Sequence, residues 1–269
     1  INTLPAGKTF KYYGTGDEGG APTEASAKFI HDSVDDKDSA VTVISAYAGQ
    51  LADELTEEER KKLPVYDGEL LMTTHGVGSY TSVAPTKRFN RKNELIADFA
   101  ERSNVLASWL NVKDYPKDRL EKAWKMFVRH EFHDDLTGTS LQRVYKETFT
   151  DYITTLNEFV HELGTAQENI ADSIDTSSVE DGIPVVVFNG ITADRSDMVT
   201  ANVTFDKAPK HIKVYDKDGK EVVSQIVERN NKDVKIIFFA NVSSDGYATY
   251  KVVSSNEPCS ISSGLKVAD

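Results

Sequence analysis

Between positions 87 and 174 apolar residues recur at helical spacing. Leu95, Phe99, Leu106 and Leu110, widened by Ile96 and Trp109, mark one stripe and predict a first long helix. Asp114-Tyr115-Pro116 interrupts it. Pro116 suits the first turn of a second helix, whose apolar face is Leu120, Trp124, Phe127 and Val128. That helix runs out at His133-Asp134-Asp135-Leu136-Thr137-Gly138. Thr139, with Gln142 three residues on, then reads as a capping box for a third helix. Val144, Phe149, Ile153, Leu156, Val160 and Leu163 carry its apolar side, and Gly164 weakens it without having to end it. Three helices with short connections predict a three-helix bundle, because each stripe must be buried against another.

Residues 175–182 (DTSSVEDG) form a polar linker, and beyond them the period changes to that of strands. The candidates are 185–188, 199–205, 212–215, 222–227, 234–239 and 247–253, with a hairpin turn at Asp216-Lys217-Asp218-Gly219. No helical pattern interrupts them, so an antiparallel β-sandwich is expected. Such a sandwich has about seven strands, and only six candidates precede the end of the chain, so the expectation is the first portion of one. Residues 1–66 are less patterned. A glycine-rich stretch at 14–23 (GTGDEGGAPT) precedes one predicted strand at 41–46. A charged helical segment at 54–62 ends before Pro64, and a second short strand is predicted at 69–72. These elements are too few for an independent domain.

The length of 269 residues gives a prior of about two domains. With 39% hydrophobic residues the chain can bury real cores. Its 43 acidic and 31 basic residues give a net charge of −12, which offers no general attraction to nucleic acid or an anionic bilayer. No nucleic-acid partner is therefore expected. No run approaches the ~18 apolar residues of a membrane span, so no membrane insertion is expected either. The single Cys259 excludes an intrachain disulfide and a four-cysteine zinc site. A start at Ile1 rather than Met leads us to expect a processed end or a piece of a longer polypeptide. A soluble protein is expected, cytoplasmic in preference to exported.

The densest chemical cluster is His130-Glu131-Phe132-His133-Asp134-Asp135. It lacks the HExxH spacing of a metalloprotease helix. His133, beside two carboxylates at a helix end, is a candidate zinc ligand, and the adjacent Asp134 could hold a sugar hydroxyl. The plain alternative is a histidine favoured by the helix dipole. Asp17, between glycines, is a candidate acid or base; the alternative is an acidic turn. His75 and Tyr80 lie in a loop of small residues and could line a sugar pocket, or Tyr80 could pack the base of that loop. Trp109 and Trp124 read as core residues. Cys259 has no basic partner in sequence and reads as buried or incidental. Asp216 and Asp218 lack the ligand run of a calcium loop, and His211 reads as a strand residue.

Several stretches together resemble the retaining, zinc-dependent α-mannosidases of glycoside hydrolase family 38. They are YGTGDEGGAPT at 13–23, GELLMTTHGVGSYTS at 68–82, KRFNRKNE at 87–94, EFHDDLTGTS at 131–140, VVVFNG at 185–190 and GYATY at 246–250. The resemblance implies a multidomain α plus β chain. Residues 1–84 would be the C-terminal remnant of an α/β catalytic domain with its connecting loop. Residues 85–176 would be the three-helix bundle of the middle domain, and 177–269 the start of the β-sandwich. It further implies that His133 ligates zinc, that Asp134 contacts bound mannose, that Asp17 is the general acid/base, and that Tyr80 and His75 lie near the sugar. The implied parent releases terminal α-linked mannose from oligosaccharides or glycoproteins. Its early His-x-Asp zinc pair has no counterpart here, since His31 is followed directly by Asp32, and the nucleophile is expected upstream of Ile1. The 269 residues alone are thus expected to bind no zinc and to be inactive. Departures from the family pattern are Glu131 for Gln, Asp135 for an apolar residue, Thr137 for Pro, and Gly76 for Arg. A non-catalytic carbohydrate-binding or scaffold module is the alternative, and homo-oligomerisation is left open.

Overall fold

A computed structural model of the chain describes residues 7–15, 19–71, 73, 76–177, 179 and 181–264. The chain divides into two compact units, Ile1–Leu71 and Met72–Asp269.

The first unit holds three short helices: α1 (Glu24–Asp35), α2 (Gln50–Asp53) and α3 (Glu57–Lys61). Their starts follow from capping chemistry. The Thr23 hydroxyl accepts from the Ser26 amide, and Thr56 with Glu59 forms a complete capping box. No strand forms among the described residues of this unit. The β-branched stretch at 41–46 has no partner to pair with, and Val41 and Ile44 stay exposed. The stretch expected at 69–72 is likewise not a strand at 69–71; Met72 lies outside the described residues. Leu55 is the one buried residue described here.

The second unit begins with a 3-10 turn (Val77–Tyr80) and three helices, α4 (Ala84–Trp109), α5 (Lys117–Arg129) and α6 (Val144–Asp172). All three predicted helices form, but the inward face of α4 is not the predicted stripe. Thr86, Asn90, Asn93, Ala97, Ala100, Ser103, Asn104 and Ala107 are buried, at the spacings of three and four of one helix face. Leu95 and Trp109 point to solvent, with Trp109 77% exposed. The facing stripe of α6 is Tyr145, Thr148, Tyr152, Thr155, Phe159, Glu162, Ala166 and Ile170, leaving Ile153 and Val160 outside. Small residues on α4 let the two helices approach, and the polar ones satisfy each other. Asn93 Nδ2 donates to the Tyr152 carbonyl (3.1 Å) and Thr155 Oγ1 donates to Asn93 Oδ1 (2.7 Å). Asn104 Nδ2 donates to the Glu162 carbonyl (3.1 Å). Glu162 in turn pairs with Lys113 and Arg119, each at 2.9 Å. Helix α5 lays Leu120, Ala123 and Phe127 into the remaining groove. Trp124 packs on Phe127 and Phe159 and donates to Glu101 Oε1 (2.7 Å), in keeping with its structural reading.

Seven strands follow: β1 (Ile183–Asn189), β2 (Arg195–Thr204), β3 (His211–Tyr215), β4 (Glu221–Val222), β5 (Ser224–Asn230), β6 (Asp233–Val242) and β7 (Gly246–Ser255). They make one sheet of order β1-β7-β3-β4 and a second of order β2-β6-β5. Every pairing is antiparallel. The predicted strand at 222–227 is two strands, because the chain leaves one sheet at Val223 and enters the other at Ser224. The 216–219 turn joins β3 to β4 as expected, the Gly219 amide donating to Asp216 O (3.0 Å). Alternate residues of β6, from Val234 to Val242, meet Ile212, Val214, Tyr250 and Val252 in the core.

Bundle and sandwich touch where the Phe99 ring lies against Gly190; a Cβ at 190 would overlap that ring. Arg102 pairs with Asp245 across the same contact (2.9 Å). Beside it lies an open groove of about 910 Å³ whose walls include Leu106, Trp109, Phe188 and Tyr247. Trp109, expected in the core, lines this groove instead, because the α4 face it occupies meets no third helix.

Candidate functional site

The chain leaves α5 at Arg129 and does not enter α6 until Val144. The connection is a series of turns closed on its own backbone. The Asp135 and Leu136 amides donate to the Phe132 carbonyl (2.9 and 3.1 Å), and the Gly138 amide to Asp135 O (3.1 Å). The Thr139 and Ser140 amides both reach Asp134 O (3.0 Å each). The Thr139 hydroxyl is spent inside the loop, donating to Asp134 Oδ1 (2.9 Å). The capping box expected at Thr139 and Gln142 therefore does not form, and α6 starts without a side-chain cap. Thr137, one of the departures from the family pattern, also bonds within the loop, to the His133 carbonyl and to Thr139 Oγ1.

A second loop braces the first. Gly138 has φ +82°, a conformation that glycine adopts at little cost, and a Cβ there would lie 2.5 Å from the Ser82 carbonyl oxygen. Ser82 Oγ donates to Gly138 O (3.3 Å), and Thr86 Oγ1 lies 3.4 Å from Leu136 O. Lys87 Nζ folds back to Ser82 O, and partial burial pulls its ammonium down from the ordinary lysine value. The turn carrying Tyr80 is thus fastened to the loop carrying His133. Val83, at φ +48° and ψ +57°, holds an uncommon left-handed conformation for a β-branched residue at this junction.

The predicted site residues fall as follows. His133 and Asp134 emerge side by side, with His133 Nε2 3.5 Å from Asp134 Oδ2 and their side chains 78% and 46% exposed. The Phe132 ring lies against the imidazole, with centroids 4.2 Å apart. Tyr80 is exposed at the end of the 3-10 turn, so it does not pack the base of its loop. Asp17 and His75 lie outside the described residues. A catalytic zinc takes about three protein ligands. Among the described residues no group of three His, Cys, Asp or Glu side chains is placed to hold a metal, so His133 with Asp134 does not by itself make such a site.

His130, which heads that sequence cluster but was given no role there, joins the loop to α6. His130 is buried, with Nδ1 2.9 Å from Asp135 Oδ2 and Nε2 2.9 Å from Asp151 Oδ2. The second oxygen of Asp135 accepts from Ser140 Oγ (2.8 Å). The unusual Asp135 thus has two bonding partners that an apolar residue could not serve. Close by, the buried Tyr152 hydroxyl donates to Asn90 Oδ1 (3.1 Å). Burial first, then the charges of Glu131 and Asp135, push its ionisation up. The signal in the sequence was faint: an Asp at a position where the pattern called for an apolar side chain.

Residues 75–170 match the family described as α-mannosidase middle domain. Over 141 residues the chain is 30% identical to human α-mannosidase 2C1, covering 52% of this chain and 13% of the relative. It is 29% identical over 165 residues to an α-mannosidase of Saccharomyces cerevisiae, covering 54% and 15%. It is 33% identical over 140 residues to α-mannosidase G of Dictyostelium discoideum, covering 50% and 12%. The chain is similar to α-mannosidases over about half of its length, and its residues 75–170 match their middle domain. It spans 12 to 15% of the length of these curated relatives. The fold agrees as well. The crystal structure of an α-mannosidase from Enterococcus faecalis V583 superposes with a TM-score of 0.60 at 20% identity, over 80% of this chain and 28% of that one. A second structure, of a glycosyl hydrolase family 38 protein from Enterococcus faecalis, gives 0.56 at 20% identity, over 80% and 29%. No described helix of the chain is long and apolar enough to cross a membrane.

Proposed function

We propose that this chain contributes the middle portion of an α-mannosidase that hydrolyses terminal α-linked mannose with retention of configuration. In that reading His133 is one ligand of a zinc ion, Asp134 contacts the mannose, and Tyr80 and His75 border the sugar. Asp17 serves as general acid and then general base. A retaining enzyme needs two carboxyl groups, one to attack the anomeric carbon and one to protonate the leaving oxygen and later activate water. Asp17 would supply the second role. A nucleophile and further zinc ligands would have to come from outside the described residues, so the 269 residues alone are inactive in this reading.

The observation that supports it most directly is the loop at 130–143. Its backbone carbonyls and hydroxyls are engaged internally, while the His133 ring and the Asp134 carboxylate remain exposed beside one another. The matched middle domain and the mannosidase names of the relatives support the same reading.

Two assays test it. The 269-residue chain, given an aryl α-mannoside and excess zinc, is expected to show no turnover. Turnover that disappears in His133→Ala would overturn the inactivity of the chain alone. Residues 75–170 grafted in place of the matching segment of the yeast relative are expected to support mannoside hydrolysis. That activity should fall at least about a hundredfold on His133→Ala, as for loss of a metal-site ligand group. Full activity in the His133→Ala graft would remove His133 from the site.

A further inference from the structure

The ring of His130 bridges three segments that are separate in sequence. It sits just past the end of α5, its Nδ1 faces Asp135 of the loop, and its Nε2 faces Asp151 in α6. Its side chain is only 3% exposed, and those of Asp135 and Asp151 are 12% and 23% exposed. Each ring nitrogen thus lies within hydrogen-bond distance of a carboxyl oxygen on a different segment of the chain. Asp135 passes the restraint on, since its other oxygen accepts from Ser140 Oγ. The amides of Thr139 and Ser140 then close on the Asp134 carbonyl, which also lies 3.2 Å from the Tyr145 hydroxyl. The path from His130 thus ends at the backbone of Asp134 itself.

We propose that His130 is a positioning residue: through Asp135 and Asp151 it sets the direction in which His133 and Asp134 leave the loop. Its value to an enzyme rests on the reading of His133 and Asp134 as site residues; the restraint itself does not.

The test uses the 269-residue chain without sugar or metal. Nuclear magnetic resonance of the wild-type chain is expected to show slow exchange of the Gly138, Thr139 and Ser140 amides. In His130→Gln, amide exchange at Gly138, Thr139 and Ser140 should rise about 10- to 100-fold, the loss expected for bonds to charged groups. Amides of α4 and α6 around Asn104 and Ala166 should keep their protection, and the His133 ring resonances should move. Asp151→Asn leaves an acceptor oxygen but removes the charge. It should raise exchange at the same three amides by a smaller factor, about 3- to 10-fold, and it decides the matter if His130→Gln does not fold. Unchanged loop exchange in either folded variant would overturn the proposal. A grafted enzyme indifferent to His133→Ala, alongside the expected exchange results, would instead sink the site reading and leave the role of His130 in the loop intact.

Discussion

The Ser82 carbonyl oxygen stands 2.5 Å from the point where Gly138 would carry a Cβ. Two loops separated by the whole of α4 and α5 meet there, backbone against backbone. Neither a rotamer change nor a small tilt makes room. Gly138→Ala adds this overlap to a positive φ of 82°. It should cost about 2–4 kcal/mol, read as a lower midpoint in urea unfolding. The loop amides at Thr139 and Ser140 should lose protection first.

Gly190 makes a comparable approach to a side chain instead of a backbone. The Phe99 ring covers it, and that ring has the open groove beside it. Gly190→Ala should therefore destabilise by less, about 1–3 kcal/mol. Combining it with Phe99→Ala should cost less than the two single changes added together, because the overlap is gone. Additive losses in thermal unfolding would show that the ring does not set the cost.

Glu162 tests the polar seam between α4 and α6. Its side chain is 3% exposed and it pairs with both Lys113 and Arg119. Glu162→Ala strands the partly buried Lys113 beside Asn104, and should cost about 3–5 kcal/mol. Glu162→Gln keeps an acceptor and should lose less. Chemical denaturation of both variants checks the order.

Glu221 gives an acid-sensitive tie for the last described segment. Burial pushes its carboxyl up. Bonds from the Ser260 hydroxyl and amide, the Cys259 thiol and Lys213 outweigh that and bring it down to about 2. Cys259 thus has a minor structural part here, bonding to Glu221 and to the Val222 carbonyl. Because the folded value lies below the ordinary 4.5, the stabilisation is fully present above about pH 4.5 and is lost as pH falls towards 2. Amide exchange at Ser260 should quicken across that window. Ser260→Ala should leave Glu221 titrating nearer its ordinary value and flatten the dependence.

The strands were readable because a sheet shows its burial directly in alternation: Val234, Ile236, Phe238 and Ala240 turn inward, one residue in two. What alternation cannot show is the change of sheet at Val223. The helices were readable in extent but not in facing. Counting apolar side chains selected Leu95, Ile153 and Val160, which are exposed. It passed over Asn93, Asn104, Thr155 and Glu162, which are buried because each completes the bonding of another. Val41 and Ile44 have the composition of a strand without a neighbour to make one. At the site, His133 and Asp134 were legible as adjacent chemistry in a resemblance-bearing phrase. The dependence of their loop on Asp151 was not, since only the packing of α6 against α5 brings residue 151 to residue 130.

Because the α4–α6 seam is built from matched donors and acceptors, sliding one helix by a single turn would orphan Asn93, Asn104 and Glu162 together. An oily seam would tolerate that slip; this one has a single vernier setting. Helix α4 is 26 residues long, about 39 Å at 1.5 Å per residue. It is clamped to the His133 loop near its first turn, through Ser82 and Thr86, and to the sandwich further along, through Phe99 and Arg102. The helix is therefore a gauge block: the spacing between loop and sandwich is fixed by the helical rise between its two clamps.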